Sequence, residues 1–155
     1  MEIRPLASQD REPLKELLSR IETFTPEEQV CALELIDAAL TPNHPDYQVR
    51  CALRDGKVVG YVCYGPTPMT EGTFDLYWIA SDPLVRGQGV GAALVSAMEG
   101  DIRRRKGRVI RVETSAMEAY GPTRGFYSAM NYKEESRFRD FYKPGDDLIT
   151  LAKRL

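Results

Sequence analysis

The sequence predicts an α/β (α+β) domain in which about four helices flank a sheet of six to seven strands. Three observations support this prediction. Seven segments have the composition of strands, four have helical periodicity, and no repeat, low-complexity tract or linker divides the 155 residues. A chain of this length can bury one core without disulfides, so a single domain over residues 1–155 is expected.

Two helices are predicted near the N-terminus. The first begins after Asp10 as its N-cap, and the second begins after Thr25, which forms a capping box with Glu28. Pro42 and Pro45 follow the second helix and end it. The apolar positions of the two helices are Leu14, Leu17, Leu18 and Ile21, and Val30, Leu33, Ile36 and Leu40.

The strand segments are residues 2–5, 47–54, 57–64, 73–80, 108–115, 132–142 and 148–153. Turns at residues 55–56 and 144–147 predict two hairpins. Two further helices are predicted over residues 89–106 and 123–130. In the strand 73–80, alternation puts Phe74, Leu76, Trp78 and Ala80 on one face and Thr73, Asp75, Tyr77 and Ile79 on the other.

The cysteines predict neither a metal site nor a disulfide. Cys31, Cys51 and Cys63 form no C-x-x-C pair, and the chain has one histidine, so a Cys/His zinc site lacks ligands. A two-residue turn at 55–56 would place Cys51 opposite Gly60. Cys63 then falls on the other face of its strand, because side chains alternate.

The amino-acid composition indicates which classes of partner and which cellular compartment to expect. The net charge of −2 argues against a general nucleic-acid binder. No apolar run approaches the roughly 18 residues of a membrane span, and the first residues lack the pattern of a signal peptide. We therefore expect a cytoplasmic protein that acts on neither nucleic acid nor membrane.

A glycine-rich stretch lies between the fourth strand and the longest helix. It consists of Arg86, Gly87, Gln88, Gly89, Val90, Gly91 and Ala92. Glycines allow a tight turn and leave no side chains in the way of a ligand. The first N–H groups of a helix have no internal partners and carry partial positive charge, so the stretch is typical of a phosphate-binding loop.

Two other interpretations of this loop stay open at the level of sequence. Gly87, Gly89 and Ala92 also satisfy a loose dinucleotide-binding pattern, with Glu113 at the distance of a ribose-binding acid. Residues 81–86 intervene between strand and glycines, however, and the chain after Glu113 is too short for further crossover units. A loop without a ligand is the third interpretation, although flexible glycines cost folding entropy.

The motifs resemble those of the general N-acetyltransferase superfamily, GNAT. Arg86-x-x-Gly89-x-Gly91 is similar to its central motif, and residues 79–83 and 93–95 flank it as they do in the family. A second motif, an aromatic and a tyrosine followed by x-x-x-Gly-aromatic, corresponds to residues 126–132. Asn131 replaces its glycine, and asparagine tolerates the left-handed conformation of a helix end.

The resemblance implies a GNAT fold: a mixed, mostly antiparallel, twisted sheet with a splay between strands 4 and 5 that binds acetyl-CoA. The amides of residues 86–92 would bind the pyrophosphate. Ile79, Ala80 and Ser81 would pair with the pantetheine arm. The asparagine that often contacts pantetheine in the family is missing from residues 116–122, so Thr123 or Arg124 is the expected substitute.

The resemblance also implies the chemistry. Tyr127 stands where the family's general acid usually lies, and it would give a proton to the leaving thiolate. The general base is Glu113, near the end of the fifth strand, or Asp75 on the fourth, unless a water chain serves. A buried carboxylate at Glu113 would have a raised pKa suited to a base.

The implied function is acetyl transfer from acetyl-CoA, without a metal, to a primary amine of a small molecule or peptide. The alternatives are a domain that binds CoA without turnover and a structural protein whose loop is vestigial. No motif in the sequence specifies the acceptor. The C-terminal hairpin offers a strand for pairing in a homodimer.

Overall fold

The structure is a computed structural model that describes residues 1–44 and 46–155. Its strands are β1 (Glu2–Pro5), β2 (Gln48–Arg54), β3 (Lys57–Pro66), β4 (Thr73–Ser81), β5 (Val109–Ser115), β6 (Lys133–Lys143) and β7 (Asp146–Arg154). The helices are α1 (Arg11–Ser19), α2 (Pro26–Leu40), α3 (Val90–Arg104) and α4 (Gly121–Ala129), with 3-10 turns at Ser8–Asp10, Pro83–Val85 and Glu118–Tyr120. None of the helices in the described ranges is long and apolar enough to cross a bilayer.

The seven strands form one mixed sheet, as predicted. Its order is β1-β2-β3-β4-β5-β7-β6, and within the described residues β4 and β5 are the parallel neighbours while the other pairs are antiparallel. A dinucleotide-binding domain would need a largely parallel sheet, so that interpretation of the glycine loop is wrong.

The parallel pair opens into a gap. β4 and β5 are in register at three pairs, from Thr73 with Val109 to Asp75 with Arg111. Beyond these pairs, residues 76–81 of β4 and 112–115 of β5 diverge. This is the predicted splay between strands 4 and 5, and within the described residues it leaves one edge of β4 without a strand partner from residue 76 to 81.

Helices α3 and α4 cover one face of the sheet, and α1 with α2 covers the other over β2 to β4. The first face holds a core built on Leu94, Met98 and Ile102 of α3, which we call the α3 core. The second holds Leu14, Leu17 and Leu18 of α1 with Ile36 of α2, which we call the α1–α2 core. The open part of the second face, over β5 to β6, adjoins the gap.

A β-bulge in the β2–β3 hairpin corrects the predicted position of the cysteines. Arg54 pairs with Lys57 as expected, but the register shifts between Leu53 and Ala52. Cys51 therefore lies opposite Tyr61, not Gly60, and Cys63 follows on the same face in the α1–α2 core. The predicted separation onto opposite faces is wrong, although both thiols are free as expected.

A second bulge, at Tyr77 of β4, changes which side chains share a face. Trp78 pairs with Cys63 whereas Leu76 pairs with Tyr64, so Tyr77 is the extra residue. Trp78 consequently packs with the α1–α2 core, and Ile79 packs against the α3 core with Leu76. The predicted alternation holds before the bulge and is wrong after it, as expected from an inserted residue.

The predicted helix ends are largely confirmed. Thr25 accepts from the Glu28 N–H at 3.1 Å and completes the capping box. Val30 is 57% exposed, however, because the buried face of α2 runs through Ala32 and Ile36 instead. Pro42 follows the end of α2, whereas Pro45 lies outside the described residues.

The C-terminal hairpin also differs in its turn. Lys143 pairs with Asp146, so the turn has two residues, Pro144 and Gly145, rather than the four that were predicted. Asn131 has the expected left-handed conformation, with φ of 70° at the end of α4.

Asp10 directly precedes α1, but its carboxylate does not cap the helix. It accepts from both terminal nitrogens of Arg4, at 2.7 and 2.9 Å, and from the N–H of Ala7 at 2.8 Å. The hydrogen bond from Arg4 is the main cause that lowers the pKa of Asp10, although burial opposes it. β1 is therefore joined to the start of α1 by an ion pair that needs an ionised carboxylate.

Asp10→Asn is expected to make the free energy of unfolding depend less on pH in acid. Because the folded pKa lies below the unfolded value, the stabilisation is present above about pH 4 and disappears as pH falls through the folded pKa. Below about pH 4 the free energy of unfolding should change with pH more steeply in the wild type than in the variant, by at most about 1.4 kcal/mol per pH unit. Urea unfolding between pH 2.5 and 7 measures both slopes, and equal slopes would contradict the pair's role.

Candidate active site

The glycine loop has the left-handed backbone that its glycines predict. Gly87 and Gly89 have φ of 76° and 81°, and Gly89 is the N-cap of α3. A Cβ atom at either position would meet no atom within 4 Å. The need for glycine here is therefore conformational, and the space around both backbones is open to a ligand.

The main-chain donors of this loop are unused. Within residues 1–44 and 46–155, no acceptor is bonded to the N–H of residues 86–92, and the first such bond is donated by Ala93 to the carbonyl of Gly89. Residues 86–89 are exposed. Unbonded N–H groups at the positive end of a 15-residue helix, next to an exposed loop, form a site for an anion such as a diphosphate.

Arg54 adds a positive charge that the sequence did not point to. Its guanidinium donates to the side-chain oxygen of Gln88, which holds the β2–β3 turn against the loop. The two residues are 34 positions apart, so only the folded hairpin brings them together. Arg54 thereby increases the attraction of the loop for anions.

The gap between β4 and β5 lies next to this loop. Ile79, Ala80 and Ser81 pair on one side with β3. Their other edge faces the gap, since β5 pairs with β4 no further than Asp75. An extended ligand arm can therefore lie along residues 76–81 and form hydrogen bonds with their backbone. The residues predicted to pair with pantetheine belong to this edge.

Tyr127 is buried on α4, at 3% exposure. Its ring lies between those of Phe126 and Tyr132, with centroids at 5.3 and 5.6 Å. Phe126 in turn packs so closely on Gly91, in the first turn of α3, that a Cβ there would lie 3.1 Å from the ring. Burial raises the pKa of Tyr127, so its hydroxyl is protonated and able to donate.

The two predicted carboxylates lie together where β4 and β5 begin to diverge. Asp75 and Glu113 line a cavity of about 130 Å³ with Leu76, Tyr77 and Arg111. Asp75 is buried, and its oxygens accept from Thr67 Oγ1 at 2.8 Å and from Arg111 Nε at 2.7 Å. Both carboxylate oxygens of Asp75 are thus hydrogen-bonded within the protein.

Glu113 has a different environment from the one predicted. Its side chain is 47% exposed, so the expected burial of this carboxylate is wrong. The nearest cation is Arg111, whose Nη1 lies 3.9 Å from Glu113 Oε1, too far for a hydrogen bond. Glu113 therefore presents an accessible carboxylate at the cavity.

The predicted substitutes for the pantetheine asparagine lie on α4. Thr123 is exposed near its N-terminus. Arg124 donates to the carbonyls of Ser115 and Met117, at 2.6 and 2.9 Å, and so fixes the end of β5 against α4. Its guanidinium is largely committed to the chain itself.

Sequence reasoning missed the pairing of Ser115 with Asp146 at the end of β5. Ser115 Oγ donates to the Asp146 carboxylate at 2.5 Å, and both residues are buried. Tyr120 and Tyr142 lie within electrostatic range of Asp146, whose charge contributes to raising the pKa of both phenols after the larger effect of burial. Asp146 had been assigned to a turn, and nothing in the sequence signals its pairing with a residue 31 positions away.

Comparisons with known proteins agree with this architecture. A sequence profile described as the acetyltransferase (GNAT) family matches residues 12–132. A crystal structure of a protein from Desulfovibrio desulfuricans, described as belonging to the GNAT family of acetyltransferases, shares 38% identity at a TM-score of 0.94, and the match covers 99% of this chain and 98% of that one. Among curated protein sequences none matches the chain.

Two more distant structures share the fold. The ribosomal-protein-S18-alanine N-acetyltransferase from Escherichia coli has 19% identity and a TM-score of 0.78, with coverage of 99% and 92%. An aminoglycoside 6'-N-acetyltransferase complexed with coenzyme A has 17% identity and a TM-score of 0.78, with coverage of 99% and 97%. The chain therefore belongs to the acetyltransferase (GNAT) family and is an acyl-CoA-dependent acetyltransferase.

Proposed function

We propose that the protein transfers the acetyl group of acetyl-CoA to a primary amine by direct attack within a ternary complex. The observation that carries this proposal is the row of unbonded N–H groups at residues 86–92 beside the open edge of β4. The residues fit coenzyme A: the loop can take the pyrophosphate, and the edge can take the pantetheine arm. The coenzyme A complex of the aminoglycoside N-acetyltransferase of the same fold supports the choice of ligand.

Residues of the chain account for the movement of protons. An amine that arrives as an ammonium loses one proton to Glu113, directly or through water, and from there to solvent. The C–N bond then forms as the C–S bond breaks. Tyr127 gives its proton to the departing sulfur and recovers one from the acetylated nitrogen, so protons and charge balance.

The geometry favours Glu113 over Asp75 as the base. Both Asp75 oxygens already accept hydrogen bonds, one from Thr67 and one from Arg111, so they are occupied by partners within the protein. Glu113 is accessible, and within the described residues its carboxylate accepts no side-chain hydrogen bond, the closest cation being Arg111 at 3.9 Å. We infer that Asp75 mainly holds Arg111 in place.

A turnover assay tests the proposal. Acetyl-CoA is offered with a panel that includes an alkyl diamine, an aminoglycoside and a peptide beginning with alanine, and product is detected by mass spectrometry. Mass detection avoids interference from the exposed thiol of Cys31. Acetylated amine is expected from at least one member; CoA binding without any product would contradict transfer and favour a sensing domain.

Gly89→Ala is expected to weaken CoA binding about 10-fold. A non-glycine residue in the left-handed region costs roughly 1–2 kcal/mol, and relief of that strain would turn the N–H groups away from the phosphates. Isothermal titration with CoA measures the affinity.

Gly145→Ala is the matched control. Gly145 has φ of 84° and open space around it, but it lies in the β6–β7 turn. Both variants should lose a similar stability of about 1–2 kcal/mol, whereas only Gly89→Ala should lose affinity for CoA. Equal affinities in the two variants would show that the loop does not bind the cofactor.

A further inference from the structure

Three aromatic rings form a continuous row that begins at the cavity of Asp75 and Glu113. Tyr77 lines this cavity of about 130 Å³. The ring of Tyr77 is in T-shaped contact with that of Tyr47, with centroids 5.3 Å apart, and the ring of Tyr47 stacks on that of His44 at 5.2 Å. We call Tyr77, Tyr47 and His44 the aromatic row. All three residues are partly exposed, so a ligand can reach them.

Two irregular features of the sheet hold the row in place. Tyr77 is the inserted residue of the β4 bulge, and a bulge redirects the side chain that it carries. On the neighbouring strand β3, a Cβ atom at Gly65 would overlap the carbonyl oxygen of Asp46 and lie 3.5 Å from the Tyr77 ring. Glycine at this position therefore lets the backbone before Tyr47 pack directly on β3, which places the rings of Tyr47 and Tyr77 in contact.

The cavity at the start of the row carries an excess of one negative charge. Among the described residues, its charged lining side chains are those of Asp75, Glu113 and Arg111. Arg111 Nε lies 2.7 Å from Asp75 Oδ1, so these two charges offset each other, whereas Arg111 Nη1 is 3.9 Å from Glu113. The remaining charge is complementary to one ammonium group beside Glu113.

The cavity and the aromatic row together fit an amine that has one charged end and a flat apolar body. A cation within about 6 Å of a tyrosine ring is attracted to the ring face, and Tyr77 and Glu113 line the same small cavity. The rings of Tyr47 and His44 continue from Tyr77 away from the cavity. A ligand ring can stack on these rings or meet them edge to face, the two arrangements that aromatic pairs prefer.

We propose that the acceptor is an arylalkylamine, a primary amine on a short chain that ends in an aromatic ring. Its nitrogen is bound and acetylated beside Glu113 and Tyr77, and its ring lies on Tyr47 and His44. This inference rests on the proposed acetyl transfer and names the class of amine. Tyr47 and His44 are then residues that determine specificity, whereas Glu113 keeps its role as the base.

Three amines that differ in their apolar body test the inference. 2-Phenylethylamine has an aromatic ring, 2-cyclohexylethylamine has a ring of similar size that is not flat, and ethylamine has no ring. With acetyl-CoA saturating, kcat/KM for phenylethylamine should exceed that for ethylamine more than about 10-fold, because the phenyl group is removed from water. It should exceed that for cyclohexylethylamine about 2- to 10-fold, as expected for an aromatic pair beyond the burial of its area.

Tyr47→Leu should remove the preference for phenylethylamine over cyclohexylethylamine. The variant keeps an apolar side chain but has no ring, so kcat/KM for phenylethylamine should fall about 2- to 10-fold, mainly through KM, and the loss for ethylamine should be smaller. Tyr47→Phe keeps the ring and should keep the preference, and His44→Leu should give part of the loss. Phe138→Leu is the control: Phe138 and Phe141 form a similar T-shaped pair, with centroids 5.5 Å apart, but they lie on β6.

The outcomes separate this inference from the proposed function. Equal kcat/KM for the three amines, or a preference for phenylethylamine that neither Tyr47→Leu nor His44→Leu reduces, would overturn the arylalkylamine inference and leave acetyl transfer intact. Turnover of the aminoglycoside or the alanine peptide alone would also overturn it. Absence of product from every amine would contradict the proposed function itself. Circular dichroism checks that each variant is folded, and His44→Leu, which lies outside the helices and strands, serves if Tyr47→Leu is not.

Discussion

Tyr127→Phe is expected to lower kcat about 100-fold, because removal of a general acid costs about 10²- to 10⁴-fold. The ring stays, so its packing between Phe126 and Tyr132 in the α3 core is preserved. The affinity for CoA should change less than about twofold, since the loop at residues 86–92 is untouched. Single-turnover measurement of product at saturating acetyl-CoA isolates the chemical step.

Burial of Tyr127 does not remove its capacity as an acid. The ordinary pKa values of a tyrosine and a thiol differ by about 1.5 units, or about 2 kcal/mol, in the direction that opposes transfer to a thiolate. Burial raises the pKa of Tyr127 and would enlarge this difference if it acted on the phenol alone. A thiolate formed beside it is desolvated as well, which raises the thiol's pKa in parallel.

Tyr132→Phe is the matched control for this experiment. Tyr132 is also buried, in the same aromatic cluster, but its hydroxyl donates to Glu99 at 2.8 Å. Its loss should lower stability by about 1 kcal/mol and leave kcat within about threefold. If the two variants were equally active, Tyr127 would be a packing residue, and the proton on the leaving sulfur would have to come from water.

The elements of this fold could be predicted from the sequence because local patterns determine them. The capping box at Thr25, the glycine turn at Asp55 and the left-handed residue at Asn131 each depend on residues a few positions apart. The glycine loop is predictable for the same reason: its φ angles and its free donors follow from the order of glycines before a helix.

The errors arise where strands meet. The bulge after Ala52 and the bulge at Tyr77 are properties of strand pairs, and one inserted residue moves every following side chain to the opposite face. The faces of Cys63 and Trp78 were therefore mispredicted, although the strands that carry them were right. Alternation within a single strand does not reveal an insertion.

The contacts at the end of β5 could not be predicted because they join distant segments. Ser115 ends β5, and its hydroxyl donates to Asp146, which begins β7. In the sequence these two residues belong to a strand end and a turn. The glycine loop, by contrast, is contained in a single stretch of residues 86–92.

Glu99→Ala is expected to lower the free energy of unfolding by about 3–5 kcal/mol, the usual cost of removing one partner of a buried ion pair. Glu99 of α3 is 4% exposed, and both its oxygens lie 3.0 Å from Lys153 Nζ on β7. Its carboxylate also accepts from Tyr132, the residue packed against Tyr127. The substitution leaves an ammonium and a phenol without their partner in the protein interior.

The hydrogen bonds of Glu99 also connect the stability of the fold to the position of Tyr127, the proposed general acid. Unlike Tyr132→Phe, which keeps Glu99 paired with Lys153, Glu99→Ala leaves the Tyr132 hydroxyl and the Lys153 ammonium unpartnered, so Tyr132 can shift. Tyr132 follows α4 and donates its N–H to the carbonyl of Tyr127 at 2.9 Å, so such a shift would loosen the helix that carries Tyr127. Urea unfolding measures the stability loss, and kcat well below the unfolding range should fall several-fold as Tyr127 becomes less well positioned. Glu99→Gln keeps an acceptor for Tyr132 and should retain more activity than Glu99→Ala.

Glu118→Ala provides the reference for a glutamate without such partners. Glu118 is exposed on the 3-10 turn before α4, and its loss should change stability by less than about 0.5 kcal/mol. A similarly small change for Glu99→Ala would mean that Lys153 reaches water and that the pair contributes little. A large loss of stability with unchanged kcat would instead show that the position of Tyr127 does not depend on the Glu99 network.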